Sequence, residues 1–183
     1  MAVAADASFE VTPSLEEVRD LARDYNMIPL RTTFIDDVET PVSAFLKLRG
    51  KEPQTPAFLL ESAERGQVVG RYSFIGVRPR EVIRWSLGDP GDPYDIAREA
   101  VERHRQAPFE DLPPFAGGAV GQFAYDLVRT VETTLGEPNP DTLGTPDLAL
   151  MLSDVLVIFY HLKHTVTVLV NVYAESPDEV DAA

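Results

Sequence analysis

Two long apolar runs, LALMLSDVLVIFYH at 148–161 and TVTVLVNVY at 165–173, constrain this fold more than anything else in the chain. Both are rich in β-branched and aromatic residues, and only Leu162, Lys163 and His164 lie between them. So short a connection joins antiparallel neighbours, so the runs read as a hairpin.

Elements on either side follow from local signals. Residues 1–13 are small, polar and aperiodic and are expected to form a mobile tail. Ser14-Leu-Glu-Glu17 is a capping box, and Leu15, Val18, Leu21 and Ala22 follow at helical spacing, which predicts a helix to about Tyr25. Met27 to Asp37 reads as a strand, with Pro29 marking a sheet edge. Thr40-Pro41 opens a helix over 41–49, and Gly50 closes it. Over 56–87 the pieces AFLLES, RYSFIGV and EVIRWSL, separated by turn residues, predict a β-meander. Asp92-Pro93 opens a helix to about Gln106, and a Pro-rich connection covers 107–115. A Gly-broken apolar strand that needs close backbone approach spans 116–124, and YDLVRTVE continues with helical spacing. The predicted fold is α+β, a mostly antiparallel sheet of hairpins with three or four helices. Near the end, Ser176-Pro177-Asp178-Glu179 is another capping box that announces a helix with only a few residues left, so 176–183 is expected to be the start of a helix leading into a longer polypeptide.

Composition excludes several functions. Thirty acidic against sixteen basic residues give a formal charge of −14, which repels nucleic-acid phosphates and anionic membranes. Without cysteine there is no disulfide, thiolate nucleophile, zinc-Cys site or iron–sulfur cluster. The N-terminus lacks the basic and apolar regions of a signal peptide, and no apolar run approaches ~18 residues, so the expected setting is the cytoplasm.

Few residues announce chemistry. His161 and His164 fall in the predicted hairpin turn without a marked third ligand, and read as solvated turn residues rather than a metal site. His104, between Arg103 and Arg105, reads as solvated surface. Gly117-Gly118-Ala-Val-Gly121 has neither the lysine nor the spacing of a phosphate loop, so tight sheet packing accounts for it. Asp36-Asp37 and Glu110-Asp111 are adjacent carboxylates in polar turns and read as solvated charge. The segment 57–77 is different, because a hairpin there gathers Glu61, Ser62 and Arg71 at the edge of an apolar sheet. Arg71 can take a carboxylate by a bidentate contact and Glu61 an ammonium, with Ser62 orienting either, as an amino-acid zwitterion requires. The same residues also suit a plain cross-strand ion pair between Glu61 and Arg71, worth less than ~1 kcal/mol if exposed.

The strings FLLESAERGQVVGRYSFIG (58–76), TPVSAFLKL (40–48), PPFAGGAVGQFAYDLVR (113–129) and VIFYHLKHTVTVLVN (157–171) resemble the N-terminal domain of anthranilate synthase component I, in order over about 26–175. LLES with GRYSFIG is the specific part. The resemblance implies that 14–175 is the feedback-regulatory N-terminal domain of the subunit that converts chorismate and ammonia, drawn from glutamine, to anthranilate and pyruvate in tryptophan biosynthesis. It implies that L-tryptophan is the inhibitor, with the family's contacting serine at Ser62, Glu61 beside it and Arg71 where members hold a basic residue. It further implies that the catalytic residues, chorismate and Mg²⁺ belong to a C-terminal domain of a larger α/β enzyme, leaving no catalytic or metal residue in this segment. A glutamine amidotransferase subunit, component II, is the implied partner. Gln122 and Tyr160 depart from the family's usual residues at positions that bear on packing. Two alternative readings are a stand-alone tryptophan-binding regulatory module and the corresponding domain of an aminodeoxychorismate synthase-like subunit.

Overall fold

Every α-helix starts at a side chain that accepts from its first turn. In the computed structural model, which describes residues 9–51, 54–61, 70–132, 134–136 and 138–181, the Ser14 hydroxyl accepts from the Glu17 N–H while the Glu17 carboxylate accepts from the Ser14 N–H, opening α1 (Leu15–Leu21). Thr40 caps α2 (Pro41–Arg49), with Ser43 as its reciprocal partner and Gly50 closing the helix at φ 67°. Asp92 accepts from the Tyr94 and Asp95 N–H groups at the start of α3 (Pro93–Glu102). Both α1 and α3 stop a few residues before the expected ends. The reason is shared: Asn26 and Met27 donate to the Arg105 carbonyl, and Ala107 donates to that of Met27. These bonds require extended backbone on both sides, so 23–26 and 103–107 leave their helices to make them.

The strands are β1 (Met27–Ile35), β2 (Ala57–Leu60), β3 (Tyr72–Val77), β4 (Glu81–Trp85), β5 (Ala119–Phe123), β6 (Leu148–Leu152), β7 (Val155–Tyr160) and β8 (Thr165–Tyr173). All their pairings are antiparallel, as expected of an α+β sheet of hairpins, but they form two sheets rather than one. The larger has the order β1-β8-β7-β3-β2 and the smaller β4-β6-β5. β7 and β8 form the expected hairpin, Tyr160 opposite Thr165. β1 is an edge strand, and Pro29, which lacks an N–H, is accommodated there.

Two expectations about connectivity are corrected. The meander ends after β3, because Arg78, at φ 51°, turns the chain and the Arg80 N–H donates to the Leu152 carbonyl, carrying β4 alongside β6. Likewise 148–161 is two strands in different sheets, divided at Ser153-Asp154, where the Asp154 carbonyl accepts from the Asn171 N–H. The Gly-broken strand is real, and Gly121 passes so close to β6 that a Cβ would lie 1.8 Å from the Ala149 carbonyl oxygen. YDLVRTVE forms a 3₁₀ turn, Tyr125–Thr130.

Both ends of the described chain pack onto the body. Residues 1–8 of the expected tail lie outside the described residues; farther on, Thr12 exchanges two backbone hydrogen bonds with Arg31, and Phe9 lies 5.6 Å from Phe34. The second capping box does not close, since the Ser176 side chain accepts no first-turn N–H and the Glu179 carboxylate accepts from the Glu175 N–H instead. A 3₁₀ turn, Pro177–Glu179, results, and it drops Val180 onto Val18 and Ala22 of the α1 segment.

Four layers result. α1 and α2 cover one face of the larger sheet, α1 over Ile28 and Leu30, and α2 through Ala44 and Phe45 over Ile75, Phe159 and Val166. Against the opposite face, Phe58, Leu156, Ile158 and Leu169 pack with Phe115 and with Val120 and Met151 of the smaller sheet. The outer face of that sheet buries Trp85, Leu148 and Leu150 beneath Ile96 and Ala97 of α3 and Leu127 of the 3₁₀ turn.

Candidate functional site

The polar residues expected to act together sit where β2 leaves the larger sheet. β2 and β3 pair with Leu59 opposite Ile75 and Leu60 opposite Phe74. Continuing that register places Glu61 opposite Ser73, and Arg71 one step diagonal to it. Strand alternation puts Glu61, Arg71 and Ser73 on the face that carries Leu59 and Ile75, the face on which α2 packs. Glu61 and Arg71 both lie just outside the strands, and an extension of the register would set them on one side of the sheet, diagonal to each other rather than directly across. Glu61 is exposed and Arg71 half-buried. Ser62 lies outside the described residues.

Two members of this corner escaped the sequence. Ser73 is fully buried, at 0% exposure, and its Oγ lies 2.8 Å from His161 Nε2. His161 follows β7, two residues after the buried Phe159, so alternation aims its ring at the α2 side. Its main-chain N–H donates to the Arg71 carbonyl at 2.9 Å. The spacing Phe159-x-His161 together with Arg71-x-Ser73 was the available signal, and it could be used only once β3 and β7 were known to be neighbours. His164, by contrast, is a turn residue at φ 52° with an exposed ring 3.5 Å from Asp37. Across the sheet from this corner, Tyr72 stacks on Tyr160 with centroids 4.6 Å apart. Tyr160 thus serves packing, and the pair holds β3 against β7 where Arg71 departs. A cleft of about 380 Å³ opens beside that stack, bounded by Arg31, Asp111 and Lys163. Arg31 hydrogen bonds hold the Asp111 carboxyl below the usual carboxylate range.

A second polar cluster joins the two sheets, and it corrects the reading of His104 as solvated surface. His104 lies just after α3, with its ring against that of Tyr173 at the end of β8. Nε2 is 2.9 Å from Arg80 Nη2 and 3.2 Å from Arg103 Nε. Guanidinium nitrogens only donate, so Nε2 is the lone-pair nitrogen and the proton of the neutral ring is on Nδ1. Burial, then the charges of Arg80 and Arg103, holds the imidazole below its ordinary value. Arg80 also pairs with Asp154 at 3.0 Å and stacks 3.9 Å over Tyr173, while Arg103 pairs with Glu81. Burial, then Asp154, pushes the Tyr173 hydroxyl up to about 12.

Among the described residues no three His, Asp or Glu side chains converge as a metal site, and no helix is long and apolar enough to cross a membrane. Gly117 and Gly118 face Met27, Asn171 and Phe115 and serve packing.

No protein-family model matches the chain. Curated relatives do. Anthranilate synthase component 1 of Aquifex aeolicus is 42% identical over 176 residues, covering 89% of this chain and 35% of the relative. The protein of the same name from Thermus thermophilus is 41% identical over 167 residues, 84% of this chain and 34% of the relative. That from Pseudomonas putida is 41% identical over 162 residues, 80% and 32% respectively. The chain thus spans about a third of the length of the curated relatives it matches. Among solved structures, anthranilate synthase component I from Streptococcus pneumoniae TIGR4 is similar at 28% identity and a TM-score of 0.47, over 73% of this chain and 30% of that one.

Proposed function

On the premise that this chain is homologous to anthranilate synthase component 1 along 89% of its own length and 35% of the relative's, we propose that it is the feedback-regulatory N-terminal part of such a subunit. The complete polypeptide converts chorismate and ammonia to anthranilate and pyruvate in the cytoplasm, with the ammonia supplied from glutamine by a component II subunit. Residues 14–175 are the regulatory domain, and 176–183 lead into the part that binds chorismate and Mg²⁺.

L-Tryptophan is the proposed inhibitor, held at the corner formed by the end of β2 and the start of β3. Arg71 takes the carboxylate, Glu61 the ammonium, and Ser62 orients the bound amino acid. The observation that carries this reading is the match to relatives over 89% of the chain, a span long enough to include the β2–β3 region. Supporting it locally, Glu61 directly follows β2 and Arg71 directly precedes β3, so an extended β2–β3 register would set the two on one face. An α-amino acid presents its two charges on adjacent carbons, so opposite charges on one face suit it, where opposite faces would not.

The test is inhibition of the complete polypeptide. Ser62→Phe is expected to raise the L-tryptophan concentration that halves anthranilate formation by more than tenfold, because the ring would occupy the ligand's space. Wild-type inhibition in that variant overturns the site.

A further inference from the structure

We infer that His161, acting through Ser73, is a positioning residue for the amino-acid site proposed above, on whose reading this inference rests. His161 grips β3 twice. Its main-chain N–H holds the Arg71 carbonyl at 2.9 Å, and its ring nitrogen Nε2 holds the Ser73 hydroxyl at 2.8 Å. These two bonds bracket Tyr72, whose own ring is stacked on Tyr160. The backbone that carries Arg71 is thereby fixed against β7 from both faces of the sheet.

The dependence extends to Glu61. β2 is an edge strand of four residues, and among the described residues its one strand neighbour is β3. The paired register ends at Leu60 opposite Phe74, and one further step would bring Glu61 across from Ser73. Ser73 is completely buried. A buried hydroxyl keeps a single orientation only if its partner does, and that partner is His161. A ligand with one cation and one anion on adjacent carbons requires its two recognising groups to be held within ~0.5 Å. The route to those groups runs from the end of β7, through His161, to Ser73 on β3 and Arg71 just before it, and on towards Glu61 just after β2. His161 touches no ligand in this arrangement and acts through the strand that does.

The experiment measures inhibition by L-tryptophan in the complete polypeptide for His161→Ala, Ser73→Ala, His161→Gln and Ser62→Phe, alongside kcat and KM for chorismate. In His161→Ala and Ser73→Ala the half-inhibiting concentration is expected to rise by about two- to tenfold, the fold-change of one lost hydrogen bond, and by more than kcat or KM changes. Gln can place an amide nitrogen near the position of Nε2, so His161→Gln is expected to recover most of the inhibition. Wild-type inhibition in His161→Ala and Ser73→Ala, with Ser62→Phe resistant, overturns the positioning role and leaves the site standing. Wild-type inhibition in all four variants overturns the site, and this inference with it. A fall in kcat of His161→Ala with its half-inhibiting concentration unchanged shows a merely structural bond and also overturns the inference.

Discussion

Gly76 lies beneath the ring of Phe58, and a Cβ there would come within 2.3 Å of that ring. Phe58 is only 7% exposed and is held edge-on to Phe115, so its ring cannot swing clear into solvent. Gly76→Ala is therefore expected to destabilise the chain by about 1–3 kcal/mol, the usual cost of overfilling a packed site. Adding Phe58→Leu should recover part of that loss, giving a double variant more stable than the sum of the two single effects. Urea denaturation of the four proteins checks this, and strict additivity would show that the ring and the glycine do not interact. The second glycine of GRYSFIG, Gly76, is thus explained by packing, while the Arg of the same string belongs to the proposed site. Sequence suggests Glu61, Ser62 and Arg71 as one group because a single short stretch of the chain carries all three. It does not identify His161 as their neighbour, since that depends on a pairing between strands 88 positions apart at the Ser73–His161 contact.

The end of α3 meets the start of β4 and the end of β8 at His104, so three elements share one titratable ring. In the folded state its pKa is held below the ordinary imidazole value of 6.5. The groups facing it are Arg80 at the start of β4, Arg103 on its own segment, Tyr173 on β8, Asp154 between β6 and β7, and Glu175 after β8. Because the unfolded chain takes up this proton first, the contribution is fully present above about pH 6.5 and is lost as pH falls below it, levelling off once the folded ring itself is protonated. His104→Gln keeps an acceptor for Arg80 and cannot be protonated. Its loss of stability between about pH 7.5 and pH 5 should be smaller than that of wild type, as read from urea midpoints. An equal loss in both proteins would remove His104 from the pH dependence. Element boundaries were legible where a cap or a proline marks them, as at Ser14, Thr40-Pro41 and Asp92-Pro93. The break at Ser153-Asp154 was not, because it has no Gly or Pro and only these two polar residues separate two apolar stretches that read as one. What ends the strand there is a long-range bond from the Asn171 N–H to the Asp154 carbonyl. Nor was the terminal turn legible: Ser176 has the residues of a capping box, and its outcome is set by Val180 packing against α1.

At the scale of the molecule, the two sheets share their central layer. Phe58, Leu156, Ile158 and Leu169 from one and Val120 and Met151 from the other form a single cluster, so neither sheet keeps a complete core alone. Thermal unfolding should therefore be one transition. Trp85 is the sole tryptophan, is 6% exposed and belongs to the smaller sheet, so its fluorescence reports that sheet. Its midpoint should coincide with that of far-UV circular dichroism, and an earlier change in Trp85 would show that the smaller sheet melts separately. Sequence revealed the class of the fold and its antiparallel character, but not its division into two sheets, which is decided by pairings such as β4 with β6 that no local pattern records. The pairing of β1 with β8, Met27 opposite Tyr173, has a consequence for the nascent chain. Ile35 and its partner Thr165 are separated by about 130 residues, which at a synthesis rate of roughly 5–20 residues per second is a wait of roughly 7–26 s. Throughout that interval β1 has been made and β8 has not, so a chaperone that recognises open strand edges has its opportunity then, and loses it when the last strand closes the sheet.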